Sequence, residues 1–99
     1  MLTTCSWTPT DAPISFDKEL FIYDAGAYTG FLLDGEWKCW RVVRRERVAE
    51  DVVETVQEMP EDWVPPDVVS SEVYKCAGSF ASGLLQITGW TIRFTRAAV

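Results

Sequence analysis

The dipeptide Asp34-Gly35 lies between two runs of aromatic and β-branched residues within the stretch 28–45, YTGFLLDGEWKCWRVVRR. Asp-Gly can adopt the positive φ at both central positions that a tight type I′ turn requires. A two-residue turn also fixes which residues face each other across the two strands. The stretch therefore predicts a β-hairpin that pairs Leu33 with Glu36, Leu32 with Trp37, Phe31 with Lys38, Thr29 with Trp40 and Ala27 with Val42.

Both faces of this predicted hairpin carry large apolar side chains. One face holds Phe31, Leu33, Trp40 and Val42, and the other holds Tyr28, Leu32, Trp37, Cys39 and Val43 beside Arg41. A hairpin with one face in water alternates apolar and polar residues more cleanly. We therefore expect helices of the same chain to cover one face and another molecule to cover part of the other. A second copy of the chain would make the protein a homo-oligomer or an assembly subunit.

Further strand patterns lie on both sides of the hairpin. Residues 1–7 predict a short edge strand, and residues 19–23 predict a strand that forms a meander with the hairpin. Near the carboxyl end the apolar positions change parity at Thr88-Gly89, which predicts either a bulge or a tight hairpin turn. Either arrangement places five residues on one face, namely Leu85, Ile87, Trp90, Ile92 and Phe94.

The segment between these strands predicts two helices. Apolar residues at steps of three and four predict an amphipathic helix over residues 46–59, ended by Pro60. Its apolar stripe consists of Val48, Val52, Val56 and Met59, with Ala49 and Val53 beside it. Pro66 suits the first turn of a second, shorter helix that Gly78 can terminate. The second stripe consists of Val69, Val73, Cys76 and Ala77.

The order of these elements predicts the fold class. Strands followed by helices and then strands favour an α+β fold, with the helices gathered on one side of an antiparallel sheet. The sheet would comprise a meander around the 28–45 hairpin plus a carboxyl-terminal strand pair, with two helices on one face. Ninety-nine residues are enough for one domain, so we expect a single compact domain over residues 1–99.

Hydropathy and cysteine spacing predict the cellular compartment. No run approaches the roughly 20 apolar residues that cross a membrane, and the amino terminus lacks the layout of a signal peptide. Cys5, Cys39 and Cys76 are widely spaced and odd in number, which fits neither a disulfide framework nor a zinc site. We therefore expect buried, free thiols in a soluble cytoplasmic protein.

The absence of histidine restricts the chemistry available to the chain. Without it there is no Ser-His-Asp triad, no Cys-His pair and no common catalytic zinc site. No phosphate loop of the GxxxxGK type or dinucleotide fingerprint of the GxGxxG type occurs either. The carboxylates lie mainly on a predicted helical surface and not at converging strand ends. We expect no enzymatic activity, no catalytic residue, no cofactor and no metal.

The distribution of charge gives the strongest functional signal. The formal net charge is −6, and residues 48–72 contain eight of the fifteen Asp and Glu residues with no Lys or Arg. On the predicted helix, Glu46, Glu50, Glu54 and Glu58 form one exposed stripe. Like charges four residues apart disfavour a helix, so the stripe indicates either a docking surface for a basic partner or a face that only confers solubility.

Our first hypothesis is therefore a non-enzymatic inhibitor or adaptor that docks on a basic surface of a partner protein. Under this hypothesis the surface is a nucleic-acid-binding groove, which the carboxylates occupy as a phosphate mimic, by analogy of kind with phage inhibitors of restriction or CRISPR complexes. The predicted partner-binding residues are Glu50, Glu54, Glu58, Glu61, Asp62 and Trp63. An acidic surface repels phosphate, so we expect no direct binding of nucleic acid, and we expect no membrane partner.

A second hypothesis rests on the tryptophans. Trp7, Trp37 and Trp90 are candidates for an aromatic platform that stacks on a sugar ring or a short peptide. Such a protein would be a ligand-binding module. Its affinity would change little with ionic strength, whereas a charge-driven complex would weaken as salt is added.

Overall fold

The computed structural model describes residues 2–11, 15–60, 62–63 and 70–96, and these residues form an all-β structure. Eight strands are present: β1 (Leu2–Pro9), β2 (Lys18–Ala25), β3 (Tyr28–Leu33), β4 (Glu36–Val48), β5 (Asp51–Glu58), β6 (Ser70–Ser79), β7 (Leu84–Ile87) and β8 (Trp90–Arg96). They pair antiparallel in the order β1-β5-β4-β3-β2-β6-β7-β8 and close into a barrel. The predicted α+β fold is wrong, because the described residues contain no helix. For the same reason, none of the described segments is a helix that could cross a membrane.

The hairpin predicted from Asp34-Gly35 is confirmed as β3 and β4. Both turn residues have positive φ, 53° and 76°, as a type I′ turn requires. The register pairs Leu33 with Glu36, Leu32 with Trp37, Phe31 with Lys38 and Thr29 with Trp40. One predicted face forms the inside of the barrel, where Phe31, Leu33 and Trp40 are buried.

The carboxyl-terminal strand pair is also confirmed. Ile87 pairs with Trp90, so Thr88-Gly89 is a tight hairpin turn and not a bulge. The five apolar residues of the pair all belong to the interior cluster or pack against it. Residues 19–23 lie within β2, as predicted.

The amino-terminal strand is not an edge strand. β1 pairs with β5 on one side and with β8 on the other, and these two pairings close the barrel. Closure gives each of the eight strands a partner on both sides along part of its length, which reduces the unpaired edges that are the usual liability of an open sheet.

The helix predicted over residues 46–59 is a β-hairpin instead. β4 continues to Val48, the chain turns at Ala49-Glu50, and β5 begins at Asp51. A four-residue repeat of valines fits a strand as well as a helix, because four is a multiple of the strand period of two. β-branched side chains then favour the strand. The turn escaped prediction because Ala49 adopts a φ of 55°, which is uncommon for alanine.

The second predicted helix is also wrong where the structure describes it. Pro66 and Val69 lie outside the described residues, and the remainder of the segment is β6, which pairs with β2 and β7. Cys76 is buried inside the barrel, whereas Val73 is half exposed on the outside. This alternation is that of a strand with one face in a core.

Aromatic side chains fill the middle of the barrel. The Phe31 ring centroid lies 6.3 Å from that of Trp7, 5.1 Å from that of Trp40 and 5.9 Å from that of Phe94. An eight-stranded barrel is just wide enough for side chains to fill its interior or to hold one small ligand. These four rings, Phe31, Trp7, Trp40 and Phe94, are called the Phe31 cluster, and they lie between the two ends of the barrel.

The three cysteines are free and buried, as the sequence predicts. Burial raises the pKa of the Cys5 thiol to about 12, and the neighbouring Glu54 carboxylate contributes to the increase. Burial also raises the pKa of Cys39 and of Cys76. These thiols therefore stay neutral in the folded barrel at pH values where free thiols ionise.

We expect the free energy of unfolding to decrease as pH rises above about 9. An unfolded cysteine loses its proton near pH 9.0, whereas folded Cys5 keeps its proton to about pH 12. Between these values the native state binds more protons, so Cys5 lowers the free energy of unfolding by about 1.4 kcal/mol per pH unit. Urea unfolding at pH 8, 10 and 11 measures the slope, and Cys5→Ala should make it shallower. An equal slope in the variant would contradict the assignment, because other alkaline titrations are common to both proteins.

Candidate functional site

The barrel has a cavity at each end. The Trp90 mouth is lined by Trp7, Arg45, Val52, Glu54 and Trp90 and has a volume of about 430 Å³. The Lys38 mouth, at the opposite end, is lined chiefly by Lys38, Trp40, Glu58, Phe80, Phe94 and Arg96 and has a volume of about 300 Å³. Both volumes fall in the lower part of the range typical of small-molecule sites, and barrel mouths are common places for such sites.

A β-bulge brings a cation to the Trp90 mouth. The register between β4 and β5 shifts between Val42 and Arg44, so the inward and outward positions exchange along β4. Trp40 and Val42 face the interior before the bulge, and Arg45 lies on the interior side after it, where it pairs with Glu54 of β5.

Arg45 and Glu54 form the ion pair of the Trp90 mouth. Glu54 is only 8% exposed. Arg45 donates to it from Nη2 over 2.8 Å and from Nε over 3.1 Å, and both bonds end on Oε2. Within the described parts of the chain, no residue donates a hydrogen bond to the second carboxylate oxygen of Glu54, Oε1. The mouth therefore holds a fixed carboxylate with one oxygen available to a ligand.

Arg45→Ala should lower the free energy of unfolding by about 2 kcal/mol, because it leaves the carboxylate of Glu54 buried without its partner. Adding Glu54→Gln should restore most of the loss, and chemical denaturation of the single and double variants measures both effects. Arg44→Ala is the matched control, because Arg44 pairs with Glu46 over 3.1 Å on the surface. Such exposed pairs contribute less than about 1 kcal/mol. Equal losses in the two single variants would show that the Glu54 carboxylate is not buried in solution.

Two tryptophans form the apolar wall of the Trp90 mouth. Trp7 and Trp90 meet edge to face, with ring centroids 6.3 Å apart and planes at 77°. The other side of Trp7 contacts Phe31 in the core. The core thus fixes Trp7, and Trp7 in turn supports Trp90, which remains half exposed. The wall is therefore a supported aromatic surface beside a polar pair.

The structure does not bring the predicted partner-binding residues together. Glu54 lies in the Trp90 mouth and Glu58 in the Lys38 mouth, at opposite ends of the barrel. Glu50 is exposed in the turn between β4 and β5, and Asp62 is exposed after β5. Trp63 packs on Tyr28 outside the barrel, with ring centroids 4.6 Å apart. Glu61 lies outside the described residues.

The acidic stripe required a helix and is absent from the hairpin. Three carboxylates of the predicted stripe also lie close to cations. Glu46 is 3.1 Å from Arg44 in the same strand, and Glu54 is 2.8 Å from Arg45 of the neighbouring strand. Glu58 is 3.8 Å from Lys38 and 4.0 Å from Arg96. Three of the four carboxylates are thus compensated, Glu54 and Glu58 by cations of other strands and Glu46 by Arg44 of its own strand.

The outer face of the β3–β4 hairpin is covered in part by the chain that follows β5. The Met59 backbone N–H donates to the carbonyl of Cys39 over 3.0 Å and continues the pairing of β5 with β4, and Trp63 beyond it packs on Tyr28. Trp37 lies over Gly30, where an added Cβ would come within 2.1 Å of the indole. The expectation that helices cover one face of the hairpin is wrong, since the barrel itself encloses that face.

Sequence reasoning missed Arg45, Val52, Lys38 and Arg96 as lining residues. The predicted hairpin register already placed Lys38 opposite Phe31, and that signal could have assigned Lys38 to the interior side. No comparable signal announces the bulge that positions Arg45. Of the three tryptophans proposed as a platform, the structure brings Trp7 and Trp90 together and leaves Trp37 on the outer wall.

The fold and its two ends define a closed eight-stranded antiparallel β-barrel with an aromatic and charged cavity at each mouth. In the described ranges, no group of three or more Cys, Asp or Glu side chains is arranged to hold a metal ion. Comparison of the chain with protein-family models, with curated proteins and with solved structures finds no match.

Proposed function

We propose that the protein is a non-enzymatic ligand-binding barrel that takes an uncharged, ring-bearing polar ligand such as a sugar at the Trp90 mouth. The observation that carries the proposal is the meeting of two tryptophans and a carboxylate–guanidinium pair in one cavity of about 430 Å³. An apolar wall with a few fixed polar groups is the usual composition of a small-molecule site.

The charges of the mouth favour a neutral ligand. Arg45 and Glu54 cancel each other, so an ion entering the cavity would gain no net attraction. A sugar ring presents an apolar C–H face that can stack on Trp90 and hydroxyl groups that can donate to Oε1 of Glu54. The remaining N–H groups of Arg45 can donate to ring and hydroxyl oxygens. The ligand would thus use both kinds of surface that the mouth offers.

Titration of the protein with a panel of neutral mono- and disaccharides tests the proposal. We expect at least one of them to shift the indole N–H resonance of Trp90 in a ¹⁵N-resolved NMR spectrum. Trp90→Ala should weaken that binding about tenfold, because stacking on an aromatic side chain is typically worth about 1–2 kcal/mol. Added salt should change the affinity little.

Trp63→Ala is the matched control, because Trp63 is also half buried but packs on the outer wall against Tyr28. It should leave saccharide binding unchanged. A panel that shifts no resonance of the Trp90 mouth, or equal binding by Trp90→Ala and the parent protein, would refute the proposal.

Acidic docking on a basic protein stays a second prediction. The net charge of −6 favours it, as do Glu50 and Asp62, which are exposed and have no basic partner among the described residues. Glu50→Lys combined with Asp62→Lys should abolish capture of a basic partner from a cell lysate while leaving saccharide binding intact. The self-association predicted through the outer hairpin face would appear as concentration dependence in sedimentation.

We also propose a cytoplasmic location. Cys5, Cys39 and Cys76 are all free thiols, and reducing compartments keep thiols in that state. Isolation of the protein from its native cells under alkylating conditions should recover all three cysteines in the reduced form.

A further inference from the structure

The Lys38 mouth has a composition unlike that of the Trp90 mouth. It lies beyond the Phe31 cluster, at the opposite end of the barrel, so the two cavities share no lining residue. Two cations and one carboxylate converge there over an aromatic floor. We infer that the Lys38 mouth is a second, separate site that binds a small monocarboxylate with a planar apolar body.

The ammonium group of Lys38 lacks a close acceptor. Its Nζ lies 3.6 Å from Glu36 and 3.8 Å from Glu58, whereas charge-assisted hydrogen bonds are about 2.7–2.9 Å long. No described residue accepts a hydrogen bond from it, although its side chain is only 27% exposed. A partly buried ammonium with unused donors gains most from an anionic ligand.

Arg96 adds a second cation to the same place. Its Nη2 lies 4.0 Å from Glu58, which is again longer than a hydrogen bond. The lining itself carries two positive charges and one negative charge, a net charge of about +1 inside a protein whose net charge is −6. A second carboxylate, that of Glu36, lies 3.6 Å from Nζ of Lys38, but it is outside the lining and 59% exposed, so solvent screens it. This lining differs from that of the Trp90 mouth, where the charges of Arg45 and Glu54 cancel each other.

The floor of the mouth suits a flat apolar group. Trp40 and Phe94 are stacked, with ring centroids 5.2 Å apart and planes at 25°. Phe80 stands against Phe94 as a side wall, at 6.1 Å and 63°, and its ring lies 5.8 Å from Nζ of Lys38. An aromatic ring of a ligand could pack against this floor while its charged group reaches the cations.

One wall is a short, hydrogen-bonded loop over residues 80–83. Gly83 donates its N–H to the carbonyl of Phe80 over 3.0 Å, and its own carbonyl accepts from Phe94 over 2.9 Å. The Ser82 hydroxyl bonds Ser79 at the base of the same loop. These bonds hold the wall in place before a ligand arrives, which lowers the cost of binding.

Charge and size together select a monocarboxylate over a phosphate ester. The net charge of the lining balances a single negative charge, and Glu58 would repel a dianion more strongly than a monoanion. The cavity of about 300 Å³ is at the lower limit of ligand sites, which fits a molecule with one ring.

Titration of the wild-type protein with benzoate tests this inference. We expect benzoate to shift the amide resonances of residues 80–83 and the indole N–H of Trp40, and to leave the indole of Trp90 unchanged. Benzamide, which has the same shape without the charge, should bind about tenfold more weakly, and inorganic phosphate should also bind more weakly than benzoate.

Two substitutions should change the affinity for benzoate in opposite directions. Lys38→Met keeps the length of the side chain without its charge and should weaken benzoate binding about tenfold. Glu58→Gln removes the competing negative charge and should strengthen binding about threefold. Lys75→Met and Glu19→Gln are the matched controls, because these residues form an exposed pair at 3.4 Å on the outer wall, and neither should change the affinity.

Absence of any benzoate-dependent shift at the Lys38 mouth would overturn the inference. Equal binding of benzoate and benzamide would also overturn it, and that comparison needs no variant. So would undiminished binding by a folded Lys38→Met protein or weaker binding by Glu58→Gln. Failure of the saccharide titration at the Trp90 mouth would leave this second site unaffected, because the two tests monitor different resonances.

Discussion

Phe31→Ala is expected to lower the free energy of unfolding by about 3–5 kcal/mol, the usual cost of deleting a buried phenylalanine ring. Phe31 is 1% exposed and contacts the rings of Trp7, Trp40 and Phe94, and such large rigid rings cannot readily repack into the space that the deletion leaves. The loss is a large fraction of the roughly 5–15 kcal/mol that stabilises a typical domain. The substitution should also join the two mouths into one continuous cavity.

Urea unfolding monitored by tryptophan fluorescence measures this loss. Phe21→Ala is the matched control, because Phe21 is also on the barrel wall but faces outward, where it stacks on Tyr23 at 6.4 Å. We expect it to cost about 1 kcal/mol. If Phe31→Ala were no more damaging than Phe21→Ala, the interior side of β3 would have been assigned to the wrong face.

Gly78→Ala should be comparably destructive, at about 3–5 kcal/mol or loss of folding, because two costs add. Gly78 has a φ of 103°, which L-residues rarely adopt. An added Cβ would also lie 2.2 Å from the backbone carbonyl oxygen of Leu84, and backbone atoms cannot move aside as a side chain can. The substitution would therefore separate β6 from β7 where Gly78 pairs with Leu85.

Gly26→Ala separates the two costs. Gly26 also has a positive φ, 72°, but an added Cβ there meets no atom within 4 Å. We expect a loss of only about 1–2 kcal/mol from conformation alone. Thermal unfolding of both variants gives the comparison, and equal losses would show that the close approach of β7 to Gly78 is absent in solution.

The elements that sequence alone predicted are those fixed by local turn chemistry. Asp34-Gly35 determines its own turn type and therefore the register of β3 and β4. The parity change at Thr88-Gly89 likewise identified the interior face of β7 and β8. In both hairpins the interacting residues are close in sequence, so the pattern contains the necessary information.

The elements that sequence misjudged depend on contacts between distant strands. A valine repeat of four residues fits both a helix and a strand, and only the pairing of β5 with β1 and β4 decides between them. The turn at Ala49 uses a backbone conformation that its residue type does not announce. The predicted fold class was therefore wrong for a physical reason: local periodicity was ambiguous where tertiary pairing was decisive.

The same reason explains why the charge pattern was misread. Residues 48–72 contain no cation, but the strands beside β5 supply Arg45, Lys38 and Arg96. A bulge near Val43 moves Arg45 to the interior side, and no feature of the sequence marks that bulge. Glu54 and Glu58 therefore line two separate mouths and are not neighbours on one surface.

The most direct test of this account is whether β1 closes the barrel. Nuclear Overhauser contacts between backbone protons should connect Cys5 with Glu54 on one side of β1 and with Phe94 on the other, and residues 51–58 should have strand chemical shifts. Helical shifts over residues 46–59, or contacts on only one side of β1, would contradict the closed barrel and with it both proposed mouths.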